Sequence, residues 1–136
     1  MIFPAPKPVR TKREFKRPAV KEQMPLEDVE QRTVIEWLLA HRIRHTAIVP
    51  DRRICKRLGY VPGVPDLIIF DRPPLCVDGK LYLGTAIEMK RRQGGTLRPD
   101  QKEWIAALMD IGWACKVAKG CDEAIAFLEG LGYGKG

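Results

Sequence analysis

The apolar residues of the chain first follow a helical pattern near residue 26. They recur at steps of three and four residues, as on one face of an α-helix: Leu26, Val29, Val34, Trp37 and Leu38. Acidic side chains fill the first turn, and His41 and Arg42 stand at the end, which suits the helix dipole. The pattern predicts a helix over residues 26–41.

Strand-like patterns follow this helix. Residues 46–49 form a short apolar run, and residues 64–70 form an apolar, β-branched run between turn residues, which is typical of a buried strand. The Asp78-Gly79 pair is a strong signal for a tight hairpin turn. Over residues 80–90 we expect a second strand, or a pair of strands interrupted at a glycine.

The remainder of the chain predicts a helix, a strand and a final helix. Pro99 suits the first turn of a helix whose apolar face ends at Gly112. Residues 113–118 have a strand pattern, and residues 122–131 have the pattern of an amphipathic helix. The order of helix, strands, helix, strand and helix predicts an α/β fold, with a single mixed β-sheet flanked by helices.

The composition is that of one folded domain with a polar arm. Hydrophobic residues make up 45% of the 136 residues and charged residues 30%, a balance typical of globular proteins. Residues 1–25 are rich in proline and have no apolar periodicity, so they bury too little apolar surface to offset the entropy of ordering. We expect a flexible arm there, one domain over residues 26–131 and a flexible tail over residues 132–136.

Missing signals bear on location and on metal chemistry. No apolar run approaches the roughly 20 residues that cross a bilayer, and the N-terminal segment lacks the apolar core of a signal peptide. We therefore expect an intracellular protein with no membrane partner. The four cysteines include no Cys-x-x-Cys pair, which argues against a zinc site and favours reduced thiols.

The positive charge of the chain is concentrated in the arm. The formal net charge is +7, and residues 1–25 carry seven basic side chains against two acidic ones. Such an excess indicates an anionic partner. Two interpretations stay open: the arm follows DNA phosphates and releases their condensed counterions, or it is a solvated tail that aids solubility.

Two of the predicted strands bring acidic residues together. Alternate side chains of a strand share a face, so Glu88 and Lys90 point the same way while Met89 points to the other face. Asp66 opens the neighbouring strand, where its carboxylate would converge with that of Glu88. Converging carboxylates among apolar strands need a neutralising charge, and oxygen ligands suit Mg²⁺ or Mn²⁺. The pattern indicates hydrolysis by a metal-activated water, with Lys90 orienting the water or stabilising the transition state.

The segment that contains these residues resembles a known family. GVPDLIIF, an intervening hairpin and then AIEMKRRQGGTLRPDQKEW are similar to the VRR-NUC branch of the PD-(D/E)xK nuclease superfamily, and in particular to its stand-alone, phage-type members. Its most specific pieces are G-V-P-D, I-E-x-K-R and the L-x-P-x-Q segment. The resemblance implies a restriction-endonuclease-like αβββαβ core and a nuclease activity on DNA.

The resemblance also implies roles for the strand residues. Asp66 matches the aspartate of the family's G-x-P-D motif, which is a metal ligand. Glu88 and Lys90 match the family's E-x-K motif, in which the glutamate binds the metal and the lysine assists catalysis. The main-chain carbonyl of Met89 is the further ligand in such sites. The implied cofactor is Mg²⁺ or Mn²⁺.

Helix residues complete the implied site. Gln101 matches a glutamine that orders the family's site, although a residue at this position also suits a simple helix cap. Glu27 forms the family's E-x-x-x-Q spacing with Gln31 and is the first candidate for a metal ligand on the first helix. Glu30 is the alternative, and an acidic residue at a helix start is also favoured by the dipole alone.

Basic residues near the implied site are candidates for DNA contact. They lie in the loop before G-V-P-D and directly after E-x-K: Arg52, Arg53, Lys56, Arg57, Arg91 and Arg92. Guanidinium groups suit phosphate oxygens and contact the DNA backbone rather than base edges. The alternative is that these are solvated charges of a loop and a strand end.

Together these features predict a structure-selective DNA endonuclease that acts on branched DNA. Stand-alone VRR-NUC members resemble homodimeric Holliday-junction resolvases, and a homodimer supplies two sites for symmetric cutting. Ile35 and Leu39, outside the core stripe of the first helix, are candidates for a dimer face. The alternatives are a non-catalytic nucleic-acid-binding module that keeps the nuclease fold, and a restriction-type enzyme that cuts one short sequence in plain duplex.

The arm provides the first test. Deleting residues 1–24 should weaken DNA binding and flatten its dependence on salt, because fewer counterions are released, while cleavage at saturating DNA persists. Titrating DNA into both proteins at several salt concentrations measures the slope. An unchanged slope would show that the arm is passive.

Overall fold

The computed structural model describes residues 27–48, 59 and 61–135. These residues form three helices and four strands: α1 (Glu27–Ala40), β1 (His45–Ala47), β2 (Leu67–Ile69), β3 (Thr85–Lys90), α2 (Pro99–Asp110), β4 (Ala114–Lys119) and α3 (Cys121–Gly130). The order confirms the predicted α/β fold and its αβββαβ core. The N-terminal arm and the basic loop before G-V-P-D lie outside the described residues.

The four strands form a single mixed sheet in the order β1-β2-β3-β4. Strand β2 pairs antiparallel with both β1 and β3, whereas β3 pairs parallel with β4. Helix α2 is the crossover that such a parallel pair requires. The predicted mixed sheet is therefore confirmed.

Alternation along β3 divides the sheet into two faces. Ile87 and Met89 are fully buried and belong to one core with side chains of α1 and α3. Glu88 and Lys90 point to the other face, where Gln101 of α2 contacts both. Strand β3 is thus covered on both sides, and its acidic and basic side chains are enclosed with it.

Strand β2 is shorter than the sequence pattern predicts. The apolar run covers residues 64–70, but only residues 67–69 pair in the sheet. Pro65 has no N–H to donate to a strand ladder, so regular pairing begins only after it. The segment before β2 is therefore a turn that leads into the strand.

The predicted hairpin turn is present, but it does not join two long strands. Val77 and Lys80 exchange main-chain hydrogen bonds of 3.2 and 2.9 Å across Asp78 and Gly79, which both have positive φ, as in a type I′ turn. Residues 81–84 add no further ladder, so residues 80–90 contain one long strand, β3.

Helix α1 turns a glutamate, rather than the predicted valine, toward the interior. Glu30 is 2% exposed, whereas Val29 is 46% exposed, so the prediction that Val29 lies in the core was wrong. Ile35 packs against the core, and Leu39 lies on the surface. Of the two candidate dimer-face residues, only Leu39 is therefore available to a partner.

The folded domain continues past the predicted boundary at residue 131. Tyr133 is 3% exposed, and its hydroxyl donates a hydrogen bond to the main-chain oxygen of Asp71 and lies 2.9 Å from Thr85 Oγ1. The expected flexible tail over residues 132–136 is therefore wrong for Tyr133. Burial of the ring and satisfaction of its hydroxyl hold this segment against the sheet.

Two other expectations concern thiols and membranes. Cys76, Cys115 and Cys121 are free thiols, and none of the three is fully buried. Across the described ranges, no helix combines the length and the apolar character that a membrane span needs.

The G-V-P-D turn packs directly on the start of α2. Gly63 has a φ of +94°, and a Cβ there would come within 2.8 Å of the main-chain carbon of Asp100 and 3.0 Å of the Trp104 ring. Both the left-handed backbone and the close approach require glycine. This contact sets the position of Asp66, three residues later, relative to α2.

We expect Gly63→Ala to lower the free energy of unfolding by roughly 2 kcal/mol more than Gly79→Ala, because overpacking is added to the cost of a left-handed residue. Gly79 is the matched control, since its φ is +74° and no atom lies within 4 Å of the added Cβ. Urea unfolding of both variants measures the difference. Equal losses would show that the contact with α2 is dispensable.

Candidate active site

The pairing of β2 and β3 brings Asp66 opposite Glu88. In this antiparallel pair Leu67 lies opposite Ile87. Asp66, the residue before Leu67, therefore lies opposite Glu88, the residue after Ile87. The carboxyl groups of Asp66 and Glu88 lie close enough for each to shift the pKa of the other. Asp66 Oδ2 also accepts a 2.8 Å hydrogen bond from the main-chain N–H of Met89. The predicted convergence of the two side chains is thus found in the structure.

Burial makes this carboxyl pair reluctant to ionise. Glu88 is 3% exposed, and burial, together with the negative charge of Asp66, raises the pKa of Glu88 to about 7. Burial also raises the pKa of Asp66, although the N–H of Met89 and the proton on Glu88 oppose this. Glu88 Oε2 is buried and has no hydrogen-bond partner among the described residues. Ionisation of both carboxyl groups is therefore disfavoured unless a positive charge is added.

Gln101 links the acid and the lysine of β3. Its Nε2 donates to Glu88 Oε1 at 2.8 Å, and its Oε1 accepts from Lys90 Nζ at 3.0 Å. The same Oε1 accepts from the main-chain N–H of Arg98 at 3.0 Å, which satisfies the first turn of α2. Gln101 therefore both caps α2 and connects Glu88 with Lys90, while its role in ordering an active site stays a prediction.

Lys90 lies between two oxygen atoms that fix its ammonium group. Its Nζ is 3.4 Å from Glu88 Oε1 in addition to its hydrogen bond with Gln101. The side chain is 13% exposed, so it is held against the protein while its end remains near solvent. A positive charge is thereby fixed next to the carboxyl pair.

Of the two glutamates considered on α1, Glu27 faces this site. Burial raises the pKa of Glu27, and the negative charge of Asp66 raises it further. The positive charges of Lys90 and Arg91 act in the opposite direction. Asp66, Lys90 and Arg91 are therefore among the charged groups that act on Glu27.

Glu30 has a different partner. Its Oε1 accepts a 2.7 Å hydrogen bond from Arg92 Nε and also pairs with a terminal guanidinium nitrogen of Arg92. The main-chain N–H of Cys121 donates to the same oxygen at 3.4 Å. Glu30 therefore sits in an ion pair at the start of α3.

The described part of the chain contains no trio of His, Cys, Asp or Glu side chains close enough together to enclose a metal ion. The donor chemistry of the Asp66–Glu88 pair nevertheless suits a hard cation. It offers carboxylate oxygens, of which one is unpartnered, and its ionisation is disfavoured unless a positive charge is added.

The predicted DNA-contact residues fall into three groups. Arg91 is exposed and close enough to Glu27 to lower the pKa of that carboxyl. Arg92 is engaged by Glu30 within the protein. The loop residues Arg52, Arg53, Lys56 and Arg57 lie outside the described residues.

Arg98 is a residue of the site that the sequence analysis did not identify. Its positive charge lowers the pKa of Asp66, and its Nε lies 3.2 Å from Asp100 Oδ1. A signal was available, because Arg98 directly precedes Pro99 and so stands at the N-cap of a helix whose first turn carries Gln101.

The sequence matches a known family over most of its length. The family model of the VRR-NUC domain matches residues 10–122. A solved structure described as a VRR_NUC domain protein is similar to this chain with a TM-score of 0.62 and 31% sequence identity, over 83% of this chain and 91% of that chain. No curated protein gives a significant match. The matched range includes the carboxyl pair and the whole network around it.

The raised pKa of Glu88 predicts a pH-dependent stability of the metal-free protein. The folded state binds the proton of Glu88 more tightly than the unfolded state, where the pKa has its ordinary value of 4.5. Its stabilising contribution is therefore complete below pH 4.5 and is lost as pH rises through about 7, by up to about 3 kcal/mol.

Urea unfolding in EDTA between pH 4.5 and 8 measures this loss. Glu88→Gln, which cannot ionise, should have a flatter profile and should exceed the wild type in stability at pH 8. The same slope in both proteins would contradict the assignment of the raised pKa to Glu88.

Proposed function

The chain belongs to the VRR-NUC family, and from that membership we propose that it is a metal-dependent DNA endonuclease. VRR-NUC is a family of nuclease domains, so nucleic acid is its class of substrate. The observation that carries the proposal is the pairing of half-buried Asp66 with buried Glu88, with the ammonium group of Lys90 3.4 Å from Glu88 Oε1. Such an arrangement has no evident structural benefit, because it sets two carboxyl groups against each other in a place of low solvation.

The proposed cofactor is Mg²⁺ or Mn²⁺. Asp66, Glu88 and the main-chain carbonyl of Met89 would hold it, with Glu27 as a further ligand. When bound, a hard divalent cation polarises a phosphoryl oxygen and lowers the pKa of a bound water. Two observations support this proposal: Glu88 Oε2 has no hydrogen-bond partner among the described residues, and the pKa of Glu88 is raised. A cation would supply both the missing partner and the positive charge that favours the ionised form.

In the proposed reaction, the residues of the chain orient and stabilise the reacting groups. The oxygen of a water molecule forms a bond with phosphorus and releases a proton to the solvent, the bond from phosphorus to the leaving sugar oxygen breaks, and that oxygen takes up a proton from the solvent. Lys90 stabilises the negative charge that builds up on the phosphoryl oxygens. Gln101 keeps the ammonium group of Lys90 in place through their 3.0 Å hydrogen bond.

The proposed substrate is branched DNA, recognised through its backbone. Arg91 and Arg98 are exposed, and their positive charges act on Glu27 and on Asp66 respectively. Both carry guanidinium groups, which suit phosphate oxygens. Backbone contacts carry no sequence information, which favours recognition of DNA shape. We further propose a homodimer, whose two sites would cut two strands symmetrically.

A second candidate function is a non-catalytic nucleic-acid-binding module. It is favoured by the finding that, within the described residues, three ligating side chains do not gather at metal distance. Both candidates expect DNA binding, and only the endonuclease expects hydrolysis.

The decisive experiment is cleavage of a labelled four-way junction and of a linear duplex of the same sequence, each with Mg²⁺ or Mn²⁺. We expect the wild type to cut the junction faster than the duplex. Asp66→Asn, Glu88→Ala and Lys90→Ala should each slow cutting by at least about 100-fold, because each removes a charge from the reacting site.

Glu103→Gln, which removes an exposed acidic group from α2, is the matched control and should leave the rate unchanged. Cutting that survives in both Glu88→Ala and Lys90→Ala would discard the proposed site. Intact binding without cutting by the wild type would favour the binding module, and cuts at a single short sequence of plain duplex would favour a restriction-type enzyme.

A further inference from the structure

An ion-pair cluster joins three elements beside the carboxyl pair. Arg92, which follows β3, donates from Nε to Glu30 Oε1 of α1 at 2.7 Å. One of its terminal nitrogens lies 3.3 Å from Asp122 Oδ2, in the first turn of α3. We call Glu30, Arg92 and Asp122 the clamp. It connects the first helix, the end of the central strand and the last helix.

Two features of the chain accommodate the clamp, the burial of Glu30 and the glycine at position 120. Glu30 is 2% exposed, and a buried carboxylate is tolerated only where a positive charge and hydrogen bonds compensate it. Gly120 leaves the necessary space, because a Cβ there would lie 2.9 Å from Arg92 Nε and 3.0 Å from Glu30 Oε1. The burial of Glu30 and the absence of a side chain at Gly120 are therefore both required by the Glu30–Arg92 ion pair.

Two residues of the clamp are close in sequence to residues of the proposed site. Glu30 is one helical turn after Glu27 and is the first buried residue of α1. Arg92 comes two residues after Lys90. Among the buried side chains of α1, Glu30 is the nearest in sequence to Glu27, so this ion pair is the buried contact of α1 closest to that residue along the chain.

We propose that the Glu30–Arg92 ion pair is a positioning device that holds Glu27 within reach of the Asp66–Glu88 pair. This inference rests on the proposed function. Arg92 then acts through Glu27 rather than through DNA, and it is a positioning residue and not a phosphate ligand. Arg91 and Arg92 are both exposed, but the guanidinium group of Arg92 is held by Glu30 and Asp122, which leaves Arg91 as the basic side chain of this segment that faces the substrate.

The proposal is tested by combining Arg92→Gln with Glu27→Ala. Arg92→Gln alone should lower kcat for DNA cleavage by about 10- to 100-fold, the usual effect of removing a residue that orients a ligand, while KM and its dependence on salt stay unchanged. In the Glu27→Ala background the same substitution should have no further effect, because the side chain that it positions is already gone.

A second readout does not need activity. Binding of Mn²⁺ to the full chain without DNA should weaken by about 10-fold in Arg92→Gln and in Glu27→Ala, and no further in the double variant. If the wild type binds Mn²⁺ but does not cut DNA, the proposed function fails while this titration still decides on the clamp. If Arg92→Gln does not fold, Arg92→Lys, which keeps the charge but loses the forked geometry, should show the same pattern with a smaller effect.

Arg44→Gln is the matched control. It breaks the ion pair of 2.7 Å between Arg44 and Asp71, after the opposite end of α1, and should change neither kcat nor Mn²⁺ affinity. Losses that multiply in the double variant would overturn the proposal and make the clamp a general stabilising contact. A raised KM with a flatter salt dependence in Arg92→Gln would also overturn it, because it would identify Arg92 as a DNA contact.

Discussion

The site depends on the enclosure of two acidic groups in the same poorly solvated place. Asp66 and Glu88 face each other because β2 and β3 pair in a fixed register. Helix α2 packs on this face of the sheet, where Gln101 contacts Glu88. Their mutual repulsion is reduced by the N–H of Met89 and by the ammonium group of Lys90, and the pKa of Glu88 is raised. Most features of this face of the sheet, including the cap of α2, can be understood as compensation for that enclosure.

Much of this arrangement follows from local sequence. The period of two along β3 correctly separates Glu88 and Lys90 from Met89, and a proline followed two residues later by Gln101 correctly predicts the start of α2. The order of helices and strands then determines which ends of β2 and β3 are adjacent. These predictions succeed because each rests on residues that are close in the chain or on the geometry of a single strand pair.

Other features depend on residues that are distant in sequence. The apolar pattern of α1 does not reveal that Glu30 is buried, because its compensating charge is Arg92, 62 residues later. Tyr133 likewise follows a glycine-rich segment that is typical of a tail, yet its hydroxyl finds a main-chain acceptor at Asp71. In both cases a buried polar group is hydrogen-bonded or ion-paired by a residue that is distant in sequence. A pattern of hydrophobic positions carries no information about such pairs.

The double role of Gln101 has a consequence for the dynamics of the domain. One oxygen atom accepts both the N–H that closes the first turn of α2 and the ammonium hydrogen of Lys90. Fraying of that turn and reorientation of the lysine are therefore a single cooperative event. Substitutions on the outer surface of the helix that change its tendency to fray would alter the fraction of molecules with an ordered lysine, without touching any group that meets the substrate.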